Sequence, residues 1–157
     1  SGRATTVAGI DLDRSSVQRA EAGLSVTVRL SEELDLSRGD LLAAGDVPTP
    51  RRTFSAVLCW LSESPLRPGA RVLVKHGTST VQARVTSVRD RLDISTLEHV
   101  PAEQGELNDL VRVDLELAQA LPLESYSDSR EGGAFIVIDP QEATTLAAGM
   151  VDAAGRP

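Results

Sequence analysis

Residues 71–89, which read RVLVKHGTSTVQARVTSVR, constrain the fold more than any other stretch of the chain. A short apolar run leads into the polar sequence KHGT, whose glycine is free to adopt a positive φ. From Thr80 onward, apolar and polar residues alternate as they do in a strand with one buried face. The alternation slips between Val85 and Val88, which is typical of a β-bulge. The stretch therefore predicts a bent β-hairpin, around which we expect later strands to close a barrel.

Strand patterns recur along the rest of the chain, with glycine and proline turns between them. The cleanest alternation is LSVTVRL at 24–30. We also predict one helical turn at 31–34 and strands at 6–10, 41–43, 52–62, 109–117 and 134–138. Residues 141–150 are ambiguous, because their alanines favour a helix while their threonines and glycine favour a strand. The whole pattern predicts an all-β barrel or sandwich, with a core that includes Val57, Val72, Val74, Val85, Val113, Phe135 and Ile138.

The sequence GDVPTPRR at 45–52 is the one convincing linker. Pro48 and Pro50 remove two amide donors and favour extended backbone before them. We therefore predict a first domain part at 1–46, a linker at 47–52, a barrel at 53–151, and a tail or linker at 152–157. The first part offers only three or four strands and would leave an apolar sheet edge. It is interpreted as the C-terminal half of a larger domain.

Composition limits the partners. The net charge of −7 over 157 residues argues against a nucleic-acid backbone as ligand. Aromatic residues make up only 3% of the chain, so the core must be aliphatic. Cys59 is the single cysteine, which excludes an internal disulfide, and we expect it to be a buried small apolar residue. No apolar run reaches membrane-spanning length and no signal peptide pattern is present. We expect a cytoplasmic protein with no nucleic-acid or membrane partner.

Motifs for catalysis and cofactor binding are missing from the sequence. It has no GxxxxGK[ST] phosphate loop, no GxGxxG turn and no GxSxG nucleophile motif. His76, His99 and Cys59 lack the close spacing of zinc ligands. The many carboxylates between 90 and 142 are interpreted as a solvated face. We therefore predict no catalytic, cofactor or metal site in this chain.

Long motifs nevertheless resemble a known family. YSDSREGGAFIVIDP at 126–140, followed by LAAGMV at 146–151, resembles the C-terminal signature of the large, GTP-binding subunit of heterodimeric sulfate adenylyltransferase. SVTVRLSEELDLSRGDLL at 25–42 is similar to the end of that family's second domain. VLCWLSE, LVKHGT, RLD and LNDLVRV follow in the order of its third domain. The family pattern favours a closing strand at 145–151. Gly132 departs from it, since the family usually has threonine there.

The resemblance implies elongation-factor-like antiparallel barrels, namely the latter half of barrel two and a complete barrel three. It implies that GTP and Mg²⁺ bind in an upstream domain, which we expect to be missing from this chain. The family's reaction joins ATP and sulfate into adenylyl sulfate and pyrophosphate in the catalytic small subunit, coupled to GTP hydrolysis. The implied partners are that small subunit, the upstream GTPase domain and, in a bifunctional form, a downstream adenylylsulfate kinase domain. The barrels would serve as a frame and docking face.

The predicted partner-binding residues lie in stretches that carry the resemblance, and they are Tyr126, Arg130, Arg112, Lys75 and His76. Arg130 comes first, because arginine and tyrosine are enriched at interface hot spots. It could instead pair with Asp128 or Asp139 and only fix its loop. The alternative function is the C-terminal barrel of a translation elongation factor-like GTPase that binds tRNA or protein partners, which the acidic charge disfavours.

Overall fold

The computed structural model describes residues 3–45 and 47–152, and nearly all of its regular structure is β-strand. The predicted all-β class is confirmed. The chain divides into two compact units, Ser1–Ser37 and Arg38–Pro157. This division falls before the predicted proline linker, and the predicted domain bounds stay a prediction. Within the predicted tail, residues 153–157 lie outside the described part of the chain, as does Asp46 in the first domain part.

The first unit contains a small antiparallel sheet. Its strands are β1 (Val7–Leu12), β2 (Ser15–Val17) and β3 (Thr27–Leu30), with β1 in the middle. No residue from 3 to 37 is fully buried, so this sheet has no closed core among the described residues. The predicted strand at 24–30 is too long. The Leu24 amide donates to Glu21 O in a turn instead of joining the ladder, and its side chain is 50% exposed.

Two short elements predicted after β3 do not form. Residues 31–34 contain no helical turn, because Ser31 continues the β1–β3 contact rather than capping a helix. Its amide donates to Thr6 O at 2.9 Å, and its hydroxyl lies 2.6 Å from the Thr6 hydroxyl. Residues 41–43 form no strand either, since Leu41 and Leu42 are more than half exposed and pair with no strand of the described chain.

Residues 51–151 form a closed antiparallel barrel of six strands. They are β4 (Arg51–Trp60), β5 (Arg71–His76), β6 (Ser79–Asp93), β8 (Leu110–Leu121), β9 (Ala134–Ile138) and β10 (Thr145–Val151). The order around the sheet is β5-β9-β10-β4-β8-β6, and pairing of β5 with β6 closes the ring. A further strand, β7 (Glu98–Pro101), pairs with the far end of β6. The predicted closed antiparallel barrel and the strand at 145–151 are confirmed.

The hairpin predicted at 71–89 is the β5–β6 pair. The chain reverses at Gly77, whose φ of 54° lies in the left-handed region that glycine tolerates best. Register against β8 shifts between Val85 and Ser87 and again between Val88 and Asp90. The predicted bulge is therefore confirmed. These shifts let the 15-residue β6 bend, so that it pairs with β5, β8 and β7 in turn.

The barrel core is mostly aliphatic, and its aromatic members are Trp60 and two phenylalanines that meet edge to face. The rings of Phe54 and Phe135 lie with centroids 5.5 Å apart and planes at 82°. Five of the seven predicted core residues are buried, namely Val72, Val74, Val85, Val113 and Phe135. The predictions for Val57, Ile138 and Cys59 are wrong. These three alternate along their strands with buried residues, so they face outward and are only partly buried.

Candidate functional site

One corner of the barrel brings together four of the five predicted interface residues. The polar segment at 126–133, for which the sequence predicts no regular structure, contains a short helix, α1 (Arg130–Gly133). Ser129 caps it, since its hydroxyl accepts a hydrogen bond from Gly132 N at 3.0 Å. His76, at the end of β5, donates from Nε2 to Gly132 O at 2.9 Å. The Tyr126 amide donates to Val151 O at 3.0 Å, which ties the same segment to β10. We call this region the α1 corner.

A buried glycine sets how closely α1 approaches its own preceding segment. Gly133 lies against the backbone of Tyr126, and an added Cβ would overlap Tyr126 N and Cα. At Gly132 an added Cβ would instead meet the carboxylate of Glu124, which is the end of a flexible side chain. The threonine expected at 132 from the family pattern would therefore require Glu124 to move. The atoms that crowd Gly133 are thus backbone atoms, whereas those that crowd Gly132 belong to the side chains of Glu124 and Ser129.

Two cations project from this corner into solvent. Arg130 and Lys75 are both exposed. Within the described part of the chain, no ion pair joins Arg130 to Asp128 or Asp139. Asp139 instead accepts hydrogen bonds from the amides of Glu142 and Gln141, and these lower its pKa. Arg130 is thus fixed through its backbone on α1 while its guanidinium stays accessible.

Arg112 lies elsewhere, in a cluster with Asp90 and His99. It stands opposite Asp90 across the β6–β8 pair, far along β6 from the β5–β6 turn. His99 Nδ1 lies 2.7 Å from Asp90 Oδ1, and Arg112 Nη2 lies 3.1 Å from His99 Nε2. Arg112 Nε is buried without a hydrogen bond among the described residues, 3.8 Å from Asp90 Oδ2. Arg112 is therefore engaged within its own sheet and is not brought to the α1 corner.

Asp114 forms a second polar cluster on the outer face of the barrel. It accepts hydrogen bonds from Ser55 at 2.7 Å, from Ser87 at 2.5 Å and from Arg89 at 2.8 Å, which joins β4, β8 and β6. Burial opposes ionisation of this carboxyl, but the bonds from Ser87, Ser55 and Arg89 outweigh it and hold its pKa below the ordinary value. The ionised form of Asp114 therefore stabilises the contact of three strands.

Replacing Asp114 by asparagine is expected to lower the free energy of unfolding at pH 7 by about 1–3 kcal/mol, because hydrogen bonds to a charged acceptor are lost. A carboxyl whose folded pKa is lowered stabilises the fold above its unfolded pKa, and that contribution disappears as the pH falls through the folded pKa. The difference between the native chain and Asp114→Asn should therefore shrink as the pH falls below about 4. Urea unfolding across this pH range measures it.

The matched control for this prediction is Glu103→Gln, since Glu103 is an exposed carboxylate outside the Asp114 cluster. It should leave the free energy of unfolding unchanged across the same pH range. A difference between Asp114→Asn and the native chain that stays constant on acidification would contradict the role assigned to the ionised carboxylate.

A shallow groove lies on another side of the barrel and was missed at the level of sequence. Its volume is about 460 Å³, and it carries the side chains of Arg52, Arg71 and Arg84. Arg71 and Arg84 lie directly opposite each other across the β5–β6 pair. Glu116 forms an ion pair with Arg84 at 3.3 Å. Only the register of β5 against β6 reveals this arrangement, so single-strand patterns in the sequence carry no signal for it. We call this region the arginine groove.

The described residues offer no phosphate cradle or metal-binding group. The only helix among them is α1, and its Gly132 and Gly133 amides already donate to Ser129. GTP with Mg²⁺ needs free backbone amides and a lysine at a glycine-rich loop, so residues 3–45 and 47–152 do not fit it. No three side chains of His, Cys, Asp or Glu in these ranges are placed to hold a metal ion. Nor does this part of the chain contain a helix long and apolar enough to span a membrane.

Comparison with known proteins identifies relatives over nearly the whole chain. The model of the GTP-eEF1A C-terminal domain-like family matches residues 53–152. Sulfate adenylyltransferase subunit 1 of Saccharophagus degradans is 41% identical, with 96% of this chain and 32% of the relative covered. The bifunctional enzyme CysN/CysC of Mycobacterium tuberculosis H37Rv is 39% identical over 96% of this chain and 25% of the relative. These relatives confirm the resemblance inferred from the motifs, and the chain spans a third or less of their length.

A solved structure agrees on the fold. The crystal structure of sup35 complexed with GDP matches with a TM-score of 0.82 at 20% identity, over 97% of this chain and 38% of that one. At this identity the likeness establishes the fold alone.

Proposed function

Because this chain belongs to the GTP-eEF1A C-terminal domain-like family, we propose that it is the barrel portion of the GTP-binding subunit of a sulfate adenylyltransferase. Support comes from relatives named sulfate adenylyltransferase subunit 1, such as that of Saccharophagus degradans at 41% identity. The parent enzyme would act in the cytoplasm and join ATP and sulfate into adenylyl sulfate and pyrophosphate. GTP and Mg²⁺ would bind upstream of the barrels, since the described residues offer no phosphate cradle. Residues 1–46 would be the latter half of the preceding barrel.

The role proposed for this chain is mechanical. A closed barrel with an aliphatic core is a rigid body, and rigid bodies transmit the movement of switch loops to an interface. We assign to it the docking of the catalytic small subunit. If the parent is bifunctional, as the relative named CysN/CysC is, a downstream adenylylsulfate kinase domain would follow the same barrel. This assignment requires a surface on which the backbone is fixed while a side chain remains free to contact a partner.

The α1 corner has that property, and the observation that carries the assignment is the state of Arg130. Its helix is fixed by the Ser129 cap, by His76 and by the close approach of Gly133 to Tyr126. Its guanidinium is exposed and forms no ion pair among the described residues. Because the backbone that carries Arg130 is already fixed in the free chain, binding has to order only its side chain and not the loop, which favours a hot-spot role. Tyr126, Lys75 and His76 would surround it in the interface.

The test is Arg130→Ala in the two-subunit enzyme. Binding of the small subunit should weaken at least about tenfold, whereas the Tm of the barrel should stay within about 2 °C. The control is Arg67→Ala, an exposed loop arginine outside the corner, which should change neither quantity. A lower Tm with unchanged affinity would mean that Arg130 only fixes its loop. Binding of tRNA in place of the small subunit would instead favour the elongation factor alternative.

A further inference from the structure

We propose that the arginine groove binds an acidic, extended protein segment in which carboxylates alternate with aliphatic side chains. The groove and the α1 corner lie at opposite ends of β5, at Arg71 and His76, and the proposal does not depend on the enzyme assignment. Its cationic residues come from three strands, Arg52 of β4, Arg71 of β5 and Arg84 of β6.

Charge in the groove is unbalanced in the free chain. Arg71 and Arg84 are directly opposed, and like charges in that position repel each other. Glu116 is the single carboxylate that lines the groove, and it pairs with Arg84. Among residues 3–45 and 47–152, no carboxylate is within ion-pair distance of Arg52 or Arg71. The groove thus carries a net positive charge in a chain whose net charge is −7, and an anionic ligand would relieve the repulsion.

The remaining lining residues indicate which anion fits. Apart from Gln82 they are apolar. Val72, Ala83 and Leu117 are buried in the barrel core, so Leu73, Ala118 and Pro140 supply the accessible apolar surface of the groove. The groove has no aromatic ring on which a base could stack, and the strand amides at 72 and 83 are paired across the β5–β6 ladder. A nucleotide or nucleic acid would therefore be bound there by electrostatic attraction alone, without base stacking or hydrogen bonds from those amides. Carboxylates match the planar guanidinium, and aliphatic side chains match the floor. A peptide in which carboxylate and aliphatic side chains alternate therefore fits both the arginines and the apolar floor of the groove.

The binding test uses the full chain and a labelled peptide in which glutamate alternates with leucine, followed by fluorescence anisotropy. The native chain should bind this peptide, and the counterpart with glutamine in place of glutamate should bind at least about tenfold more weakly. Arg52→Ala and Arg71→Ala should each reduce affinity about threefold to tenfold, and the double variant more strongly still. Added salt should weaken binding by screening the charges.

Controls separate binding from folding. Arg67→Ala keeps the groove intact and should bind like the native chain. Removing Arg71 also relieves its repulsion with Arg84, so Arg71→Ala should have a Tm equal to or above that of the native chain. Equal peptide affinity in the native chain and the Arg52→Ala, Arg71→Ala double variant would overturn the proposal. So would arginine-dependent binding of inorganic triphosphate without binding of the glutamate peptide, which would identify a phosphate site instead.

Discussion

Substitution of Gly133 by alanine is expected to reduce the free energy of unfolding by at least about 3 kcal/mol, because the new Cβ has no space. It would overlap Tyr126 N and Cα, which are backbone atoms and cannot rotate away. Tyr126 N is also bonded to Val151 O, so a shift of this segment would disturb its attachment to β10. Equilibrium urea unfolding of the native and variant chains measures the loss.

The neighbouring residue supplies the matched control. Gly132→Ala adds the same methyl group to the same helix, but its Cβ would meet the end of the Glu124 side chain, which can swing out. Ser129 Oγ, the oxygen that caps the helix, would lie 2.9 Å from the new Cβ and must also shift. We expect a loss of about 1 kcal/mol, well below that at 133, because weakening of the Ser129 cap is partly offset by the helix preference of alanine. Equal effects at 132 and 133 would show that the close approach to Tyr126 does not determine the conformation of the corner.

The sequence was a good guide to the barrel because its strands obey period two. Buried and exposed residues alternate clearly in β6 and β8, and the break in this alternation between Val85 and Val88 correctly predicted the bulge. The faces of β4 were harder to assign, since residues 56–61 form a continuous apolar run without alternation. Val57 and Cys59 were therefore predicted on the buried face, whereas the structure turns them outward. In a run of this kind the register against β8 and β10 sets the face, and no local pattern reports it.

The two candidate sites also differ in how far the sequence alone predicts them. The α1 corner could be predicted in part, since Tyr126 and Arg130 lie in one continuous motif and needed no knowledge of the fold. The contact between His76 and Gly132 could not, because it joins residues far apart in sequence. The arginine groove depends wholly on strand pairing. Arg71 and Arg84 become neighbours only through the β5–β6 register, and Arg52 joins them from β4.

Gly149, on the closing strand β10, is the second position at which we expect a substitution to cause a large loss of stability. This glycine is buried on β10, directly opposite Phe135 of β9, and a Cβ added there would overlap the Phe135 ring. The ring cannot simply retreat, because Phe54 packs against it edge to face. Gly149→Ala is therefore expected to lower the free energy of unfolding by about 2–3 kcal/mol, the upper part of the usual range for overpacking a core. Urea unfolding measures the loss, and the outward-facing Ala148→Val should be nearly neutral.

A double-mutant cycle shows whether the ring is the cause. Phe135→Leu alone should also destabilise the barrel, because it leaves a cavity and removes the contact with Phe54. If the alanine methyl group collides with the Phe135 ring, the smaller leucine makes room for it, and the methyl group fills part of the cavity. The double variant should then be more stable than the sum of the single losses predicts, by at least about 1 kcal/mol. Strict additivity would mean that Gly149 is needed for its backbone and not for the space it leaves to Phe135.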